Sequence, residues 1–528
     1  MSEIDISPAR AVDCLARYEP DIRSLDYEGR TWTVREVADS AARLATVLSG
    51  LGVRRGDRVA YLGLNSPTFL LLYLACSRLG AVFVPVNFRL AANEVRVVLA
   101  DAAPRVVVAE DGHRAVADEV APGLTVHGWL LVDDDPAIPV RGDKPHPRWA
   151  SLSPLVAAAE PRADAVALGN SDIALLMFTS GTTGRPKGVI LTHGNVWWNA
   201  VNVDSVVRTR KDDATLAAAP MFHIGGLNAL TLRTLVRGGT VLVRRSFDPV
   251  QFLDDLVRHH VTTAFGVPAM FNALMRAPGF AQADLSALES AIVAGAPVPP
   301  SLIADYAEHG IMLQQAWGLT ETAPFATYLP AQMTRTKLGS AGIPMPFTEV
   351  RLVDPAAGRT ITAPRTRGEL VVRGPNVTPG YWNNPEATRT AFDDAGWFHT
   401  GDVGEYDEDG YVYIVDRIKD MIITGGENVY PAEVESALAD MPGVIEAAVL
   451  GAPDPKWGET VVAVLACEAG VAPTLEDVRA HAGAKLARYK LPTRILVQDA
   501  LPRNAAGKLD KIRLRDVTGQ RQTEMHGQ

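Results

Sequence analysis

With 528 residues, 47% of them apolar, the chain exceeds what one core can fill and must divide into at least two domains. A net charge of −10, with no Lys/Arg-rich run, excludes a general nucleic-acid binder and means that any anionic ligand is met by local donors. Cys14, Cys76 and Cys467 are too far apart for a disulfide framework or a cysteine zinc site, and they suit a reducing cytoplasm.

Residues 1–10 are polar and acidic without an apolar run, and the most apolar helical stretch, 69–75, is too short to span a bilayer. No signal peptide or integral membrane segment is expected. Thr33 and Glu36 form a capping box for a helix whose apolar residues Val37, Ala41, Leu44, Ala45 and Leu48 recur at helical spacing. Strands at 58–64, 82–86 and 106–109 alternate with helices at 67–78 and 91–100, which predicts a parallel sheet covered by helices. Residues 133–147, rich in Pro and Asp, read as surface loop. The alternation resumes with a strand at 173–178, a helix at 195–208 opening near Thr192, a strand at 215–219 and a helix at 226–237. Strands at 240–243, 262–266, 288–293 and 312–315 and a helix at 250–259 follow.

From Gly339 the short, turn-rich segments 349–353, 368–373 and 411–414 read as an antiparallel β region. Beyond 416–420, a helix at 431–439, strands at 444–450 and 460–467, a helix at 474–489 boxed by Thr474 and Asp477, and a strand at 494–498 form an α+β module. The expected fold is α/β. A large N-terminal domain, 1–416, holds parallel α/β sheets plus the antiparallel region, and a smaller α+β domain, 417–528, follows.

Residues 179–188 read Thr-Ser-Gly-Thr-Thr-Gly-Arg-Pro-Lys-Gly. Thr179, Ser180, Thr182 and Thr183 offer hydroxyls, Gly181 and Gly184 let backbone N–H groups approach an anion, and Lys187 adds charge. Such a loop suits a polyphosphate. It is not a Walker loop: Pro186 precedes Lys187, and Gly188 stands where a metal-holding hydroxyl is required. His223 lies in Met-Phe-His-Ile-Gly-Gly, between a strand and a helix. Gly295, Ala296 and Pro297, and then Ala316, Trp317, Gly318, Thr320 and Glu321, follow buried strands, where open parallel sheets bind nucleotides. Trp317 offers an adenine a flat apolar partner, and Glu321 is a hard oxygen ligand suited to Mg²⁺. Asp402 follows a tight turn, and Arg417 ends a strand. Lys419, the pair Gly425-Gly426, and Lys508 on a glycine-containing loop complete the set.

In this order and spacing the motifs resemble those of the adenylate-forming superfamily of acyl-CoA synthetases, luciferases and nonribosomal-peptide adenylation domains. The His223 and 416–431 stretches look closest to bacterial fatty-acyl and aryl-acid CoA synthetases. Trp317 stands where that family usually has Tyr. The resemblance implies a carboxylic acid, ATP and Mg²⁺ forming acyl-AMP, followed by transfer to coenzyme A. It casts the 179–188 loop as the phosphate cradle, Thr320 as an α-phosphate contact, Glu321 as the Mg²⁺ ligand, and Asp402 and Arg417 as ribose contacts. It casts His223 as the gate of the acyl tunnel and Lys508 as the lysine bridging carboxylate and α-phosphate. Lys419 becomes the pivot of a mobile C-terminal domain, and Gly425 and Gly426 the passage for the pantetheine arm. Trp457, Arg89, Arg488 and Lys490 become candidate CoA contacts. The acyl pocket is expected near 223–228, 265–268, 294–295 and 324–325, which is apolar and without Arg or Lys, disfavouring dicarboxylic acids. The alternative is an adenylate-forming ligase that passes its acyl group to a carrier-protein thiol, an amine or another acceptor. Monomer and homodimer both stay open.

Overall fold

The computed structural model describes residues 4–132, 147–179, 186–296, 298–355, 357–424, 427–454, 457–505, 507–511, 513–516 and 518. The expected loop at 133–147 lies, except for His146's neighbour Pro147, outside them. Met1–Val350 with Val372–Phe398 makes one compact unit, and Arg351–Val371 with His399–Gln528 a second. Compactness therefore groups most of the antiparallel sheet with the C-terminal module, whereas the expected division falls after Asp416.

The first unit is built on two sheets. One runs Trp149–Ser151, Gly128–Val132, Val106–Glu110, Arg58–Leu62, Val82–Val86, Ile173–Thr179 and Lys187–Thr192, and every pairing but the last is parallel. Val82–Val86 and Val106–Glu110 are buried along their whole length, as parallel strands covered on both faces must be. The other sheet is parallel from Leu313–Gly318 through Ser290–Val293, Thr263–Gly266, Ala214–Ala217 and Thr240–Val243 to Arg23–Tyr27, with antiparallel strands at both edges. The expected box closes the helix Val34–Gly50: the Glu36 carboxylate accepts from Thr33 N at 2.7 Å, and Thr33 Oγ1 accepts from Glu36 N at 3.2 Å.

Three expectations need correction. The single helix at 226–237 is two, Ile224–Asn228 and Thr231–Arg237, because Leu230 leaves helical conformation and Thr231 Oγ1 donates to Gly226 O. The helix at 474–489 stops at Gly483, where Lys485 N and Leu486 N both fall back on Ala482 O and glycine weakens further propagation. The strand at 312–315 extends to Gly318, so Ala316, Trp317 and Gly318 lie on a strand instead of in the loop after it.

The second unit holds two more sheets. One includes Gly368–Arg373, Phe398–Tyr406 and Val412–Arg417, the last two paired antiparallel. The other contains the long hairpin Val444–Asp454 with Gly458–Cys467, whose partner Arg494–Gln498 runs parallel to it.

Candidate functional site

In the first unit, Ile173–Thr179 and Lys187–Thr192 pair antiparallel, with Thr179 opposite Lys187. The chain between them carries Ser180, Gly181, Thr182, Thr183 and Gly184, all outside the described residues. The Lys187 strand is held on its other edge as well: Ile190 N donates to Gly380 O at 3.0 Å, and Trp382 N donates to Gly188 O at 2.7 Å. A Cβ on Gly188 would stand 3.1 Å from the Phe178 ring and 3.2 Å from Trp382, so the close packing of the three segments favours glycine there.

Glu321 sits in the short turn Thr320–Thr322, directly after the strand Leu313–Gly318. Its backbone carbonyl accepts from Thr378 N at 2.7 Å, and its Oε1 accepts from the Tyr381 hydroxyl at 2.9 Å. Lys187 Nζ lies 5.2 Å from the centroid of the same tyrosine ring. Burial first, and then the Glu321 charge, push the Tyr381 phenol well above its ordinary value. The structure thus brings Thr179, Lys187, Thr320 and Glu321 to one region through a residue that sequence reasoning did not single out. Gly380-Tyr381-Trp382, an aromatic pair after glycine, was its only local signal.

Gly318 is required by its surroundings, since a Cβ there would meet Pro324 O at 1.9 Å. Ala316 and Trp317 are buried, whereas Gly295 (φ +86°) and Ala296 are exposed after the strand Ser290–Val293; Pro297 is outside the described residues. His223 precedes the helix Ile224–Asn228 and packs 4.3 Å, centroid to centroid, from Phe222. Phe222 meets Phe88 edge-on, Phe88 stacks on His113, and the Arg89 guanidinium lies 5.4 Å from the Phe88 ring. Behind Gly225, a Cβ would stand 2.7 Å from the Phe265 ring, whose centroid is 6.2 Å from that of Phe325.

In the second unit, Asp402 and Arg417 are register partners on adjacent strands, with Arg417 Nε 3.1 Å from Asp402 Oδ1. Asp402 lies within the strand Phe398–Tyr406, and its amide donates to Thr400 Oγ1. The tight turn comes earlier, at Gly396. Asp416 is buried, which raises its carboxyl, and it accepts from Ala432 N at 2.7 Å at the start of the helix Pro431–Leu438. Lys419 is in the turn Ile418–Asp420; burial first, and Arg417 second, hold its ammonium below the usual lysine value. Gly425 and Gly426 lie outside the described residues, between paired strands Ile422–Thr424 and Glu427–Val429.

Lys508 is exposed, on a loop closed by its own backbone: Asn504 N donates to Lys508 O at 2.8 Å and Lys508 N donates to Asn504 Oδ1 at 3.1 Å. Arg503 anchors that loop by donating to Gly507 O at 3.1 Å and to both Glu446 oxygens at 2.8 and 3.0 Å. Trp457 and Arg488 are exposed, while Lys490 is paired to Glu433 at 2.6 Å.

Among the described residues no group of three or more His, Cys, Asp or Glu stands ready to hold a metal. One hard carboxylate, Glu321, fits Mg²⁺ that arrives on phosphates and keeps most of its waters. No helix of the described residues is long and apolar enough to cross a membrane.

The family model described as AMP-binding enzyme matches residues 13–382, and that described as AMP-binding enzyme C-terminal domain matches 433–508. A feruloyl-CoA synthase of an Amycolatopsis species is 42% identical over 505 residues, covering 95% of this chain and 96% of its own. The long-chain-fatty-acid–CoA ligase FadD13 of Mycobacterium tuberculosis is 40% identical over 483 residues, covering 90% and 91%. The structure of o-succinylbenzoate CoA synthetase (MenE) from Bacillus subtilis, in complex with the acyl-adenylate intermediate OSB-AMP, aligns with a TM-score of 0.85 at 31% identity, covering 98% of this chain and 99% of that one.

Proposed function

Because the chain belongs to the AMP-binding enzyme family, through both its N-terminal and its C-terminal models, we propose that it loads an aromatic monocarboxylic acid of phenylpropenoic size onto CoA. The chain is an AMP-forming acid–thiol ligase. A carboxylic acid and ATP give acyl-AMP and pyrophosphate, and the CoA thiol then takes the acyl group and releases AMP.

The acid class rests on the apolar wall beside His223. Gly225 leaves room that the Phe265 ring occupies, Phe325 stands behind that ring, and neither Arg nor Lys occurs at 223–228, 265–268, 294–295 or 324–325. A flat aryl group has a flat partner here, and a second carboxylate has none.

In this reading Thr179, Lys187 and the chain between them receive the phosphates, Thr320 contacts the α-phosphate, and Asp402 with Arg417 holds the ribose. Glu321 would hold Mg²⁺, which when bound offsets charge on the phosphates. A substrate carboxylate oxygen attacks the α-phosphorus, the bond to pyrophosphate breaks, and the Lys508 ammonium stabilises the charge that develops between them. The segment 417–528 then turns about Lys419, withdrawing Lys508 and bringing Gly426 forward. The CoA thiolate attacks the acyl carbonyl, and the carbon–oxygen bond to AMP breaks. Trp457, Arg89 and Arg488 offer CoA a ring and two cations. The widely separated cysteines support work in the cytoplasm.

The test is pyrophosphate release over cinnamic, hydroxycinnamic and long-chain fatty acids, each with and without CoA. Hydroxycinnamic or cinnamic acids should lead by roughly tenfold or more in kcat/KM, the scale set by one or two methylene-sized mismatches in an apolar pocket. A lead for fatty acids overturns the acid class. Turnover with a carrier-protein thiol or an amine, but not with CoA, overturns the acceptor.

A further inference from the structure

The geometry points to Tyr381 as a positioning residue: its hydroxyl sets the orientation of the Glu321 carboxylate toward the metal–nucleotide, and its ring steadies Lys187. This rests on the reading of Glu321 as the Mg²⁺ ligand.

Glu321 and Tyr381 are 60 residues apart, yet the tyrosine hydroxyl donates to Glu321 Oε1 at 2.9 Å. A glutamate side chain on a short turn has several rotamers, and losing that freedom when a ligand arrives costs affinity. The phenol removes much of it beforehand. It also constrains how the carboxylate is used. Mg²⁺ demands near-ideal octahedral geometry and takes carboxylates through one oxygen, whereas Ca²⁺ accepts two oxygens of one carboxylate at longer range. A metal gripping both oxygens of Glu321 must compete with the phenolic hydrogen at Oε1, so the arrangement favours the smaller ion.

The tyrosine is itself fixed. Its amide donates to Thr388 Oγ1 at 2.9 Å, and it forms an isolated antiparallel bridge with Val189 of the Lys187 strand. Thr378 N, three residues earlier, holds the Glu321 carbonyl. One short segment thus grips both the strand that delivers the lysine and the turn that delivers the carboxylate. The face of the same ring lies 5.2 Å from Lys187 Nζ, within the range of a cation–π contact.

The two roles separate in two variants of the full-length protein. Tyr381→Phe keeps the ring and removes the hydroxyl; Tyr381→Leu removes both. Binding of ATP is measured by titration calorimetry with EDTA, with Mg²⁺ and with Ca²⁺, and Mn²⁺ held with ATP is followed by electron paramagnetic resonance. Tyr381→Phe should bind ATP in EDTA within about twofold of the parent. Its Mn²⁺–ATP and Mg²⁺–ATP affinities should fall roughly tenfold, the scale of one hydrogen bond to a charged group, and its Mg²⁺-over-Ca²⁺ preference should narrow. Tyr381→Leu should lose ATP affinity in EDTA as well. Equal loss with and without divalent ion, or no loss in Tyr381→Phe, overturns the inference. Glu321→Gln is measured alongside. If it binds Mn²⁺–ATP as the parent does, the ligand reading falls and this inference with it; if it loses Mn²⁺–ATP while Tyr381→Phe does not, only the tyrosine's role falls.

Discussion

Arg417 and Asp402 face each other across two antiparallel strands, Nε to Oδ1 at 3.1 Å, with the aspartate buried and the arginine open. A carboxylate offers about four acceptor positions on two oxygens, the arrangement that a pair of vicinal hydroxyls can meet. Asp402→Asn should raise the KM for ATP in pyrophosphate release by roughly tenfold, the scale of a lost charge-assisted hydrogen bond. The rate of thioester formation from supplied acyl-AMP at saturation should change less. An unaltered KM for ATP would remove Asp402 from the nucleotide site.

Arg503 and Lys508 make a second pair whose effects should differ in size. Lys508→Ala should slow adenylation by ~10²-fold or more, the scale of losing one oriented charge stabiliser, and spare thiolysis of supplied acyl-AMP. Arg503→Ala removes the anchor to Gly507 O and Glu446 while leaving the lysine present, so its adenylation loss should be partial and in the same half-reaction. Gly426→Leu should do the reverse, sparing adenylation and blocking thioester formation. Single-turnover measurements of the two halves decide. Equal damage to both halves in Lys508→Ala contradicts withdrawal of the lysine.

Phe265 against Gly225 bears on the acid. Phe265→Ala removes the ring that fills the space behind the glycine, and should improve kcat/KM for bulkier or longer acids relative to cinnamic acids. Gly225→Ala should disfavour all of them, because the new methyl meets that ring at 2.7 Å. A panel whose rank order is the same in Phe265→Ala as in the parent would take this wall out of the pocket.

His193 gives a pH dependence remote from the chemistry. Among the described residues neither buried ring nitrogen has a hydrogen-bond partner, and burial pushes its pKa down from 6.5 to about 4, against the opposing pull of Asp172. The unfolded chain takes up this proton near 6.5 and the folded chain only near 4, so between those values stability falls as pH falls. The full contribution is present above pH 6.5, and about 3 kcal/mol is at stake. His193→Gln should flatten the melting temperature between pH 6.5 and 4. An unchanged slope would assign it to other groups.

Much of this was legible in the chain because its causes are local. The capping boxes at Thr33 and Thr474 and the buried runs of Val82–Val86 and Val106–Glu110 are written in neighbouring residues, and the structure has them where periodicity placed them. Tyr381 was not legible. Its partner is 60 residues away, and no local pattern states that a tyrosine hydroxyl will reach a glutamate through a chain reversal. The overlong helix at 474–489 failed for a related reason: the alanines and lysine after Gly483 favour helix, but the backbone closes on Ala482 first. The role of Arg503 was not legible either, since its anchor Glu446 belongs to a distant strand.

The two-sided pairing of the Lys187 strand has a consequence for how reproducibly the lysine is presented. A strand zipped along one edge can creep by one residue, and each such slip turns every side chain to the opposite face. Here Thr179 fixes the alignment from one side and Gly380 and Trp382 from the other, with Gly188 wedged where only a hydrogen fits comfortably. A shifted alignment would have to break both seams at once and push a side chain into that wedge, so each newly made molecule should deliver its lysine facing the same way.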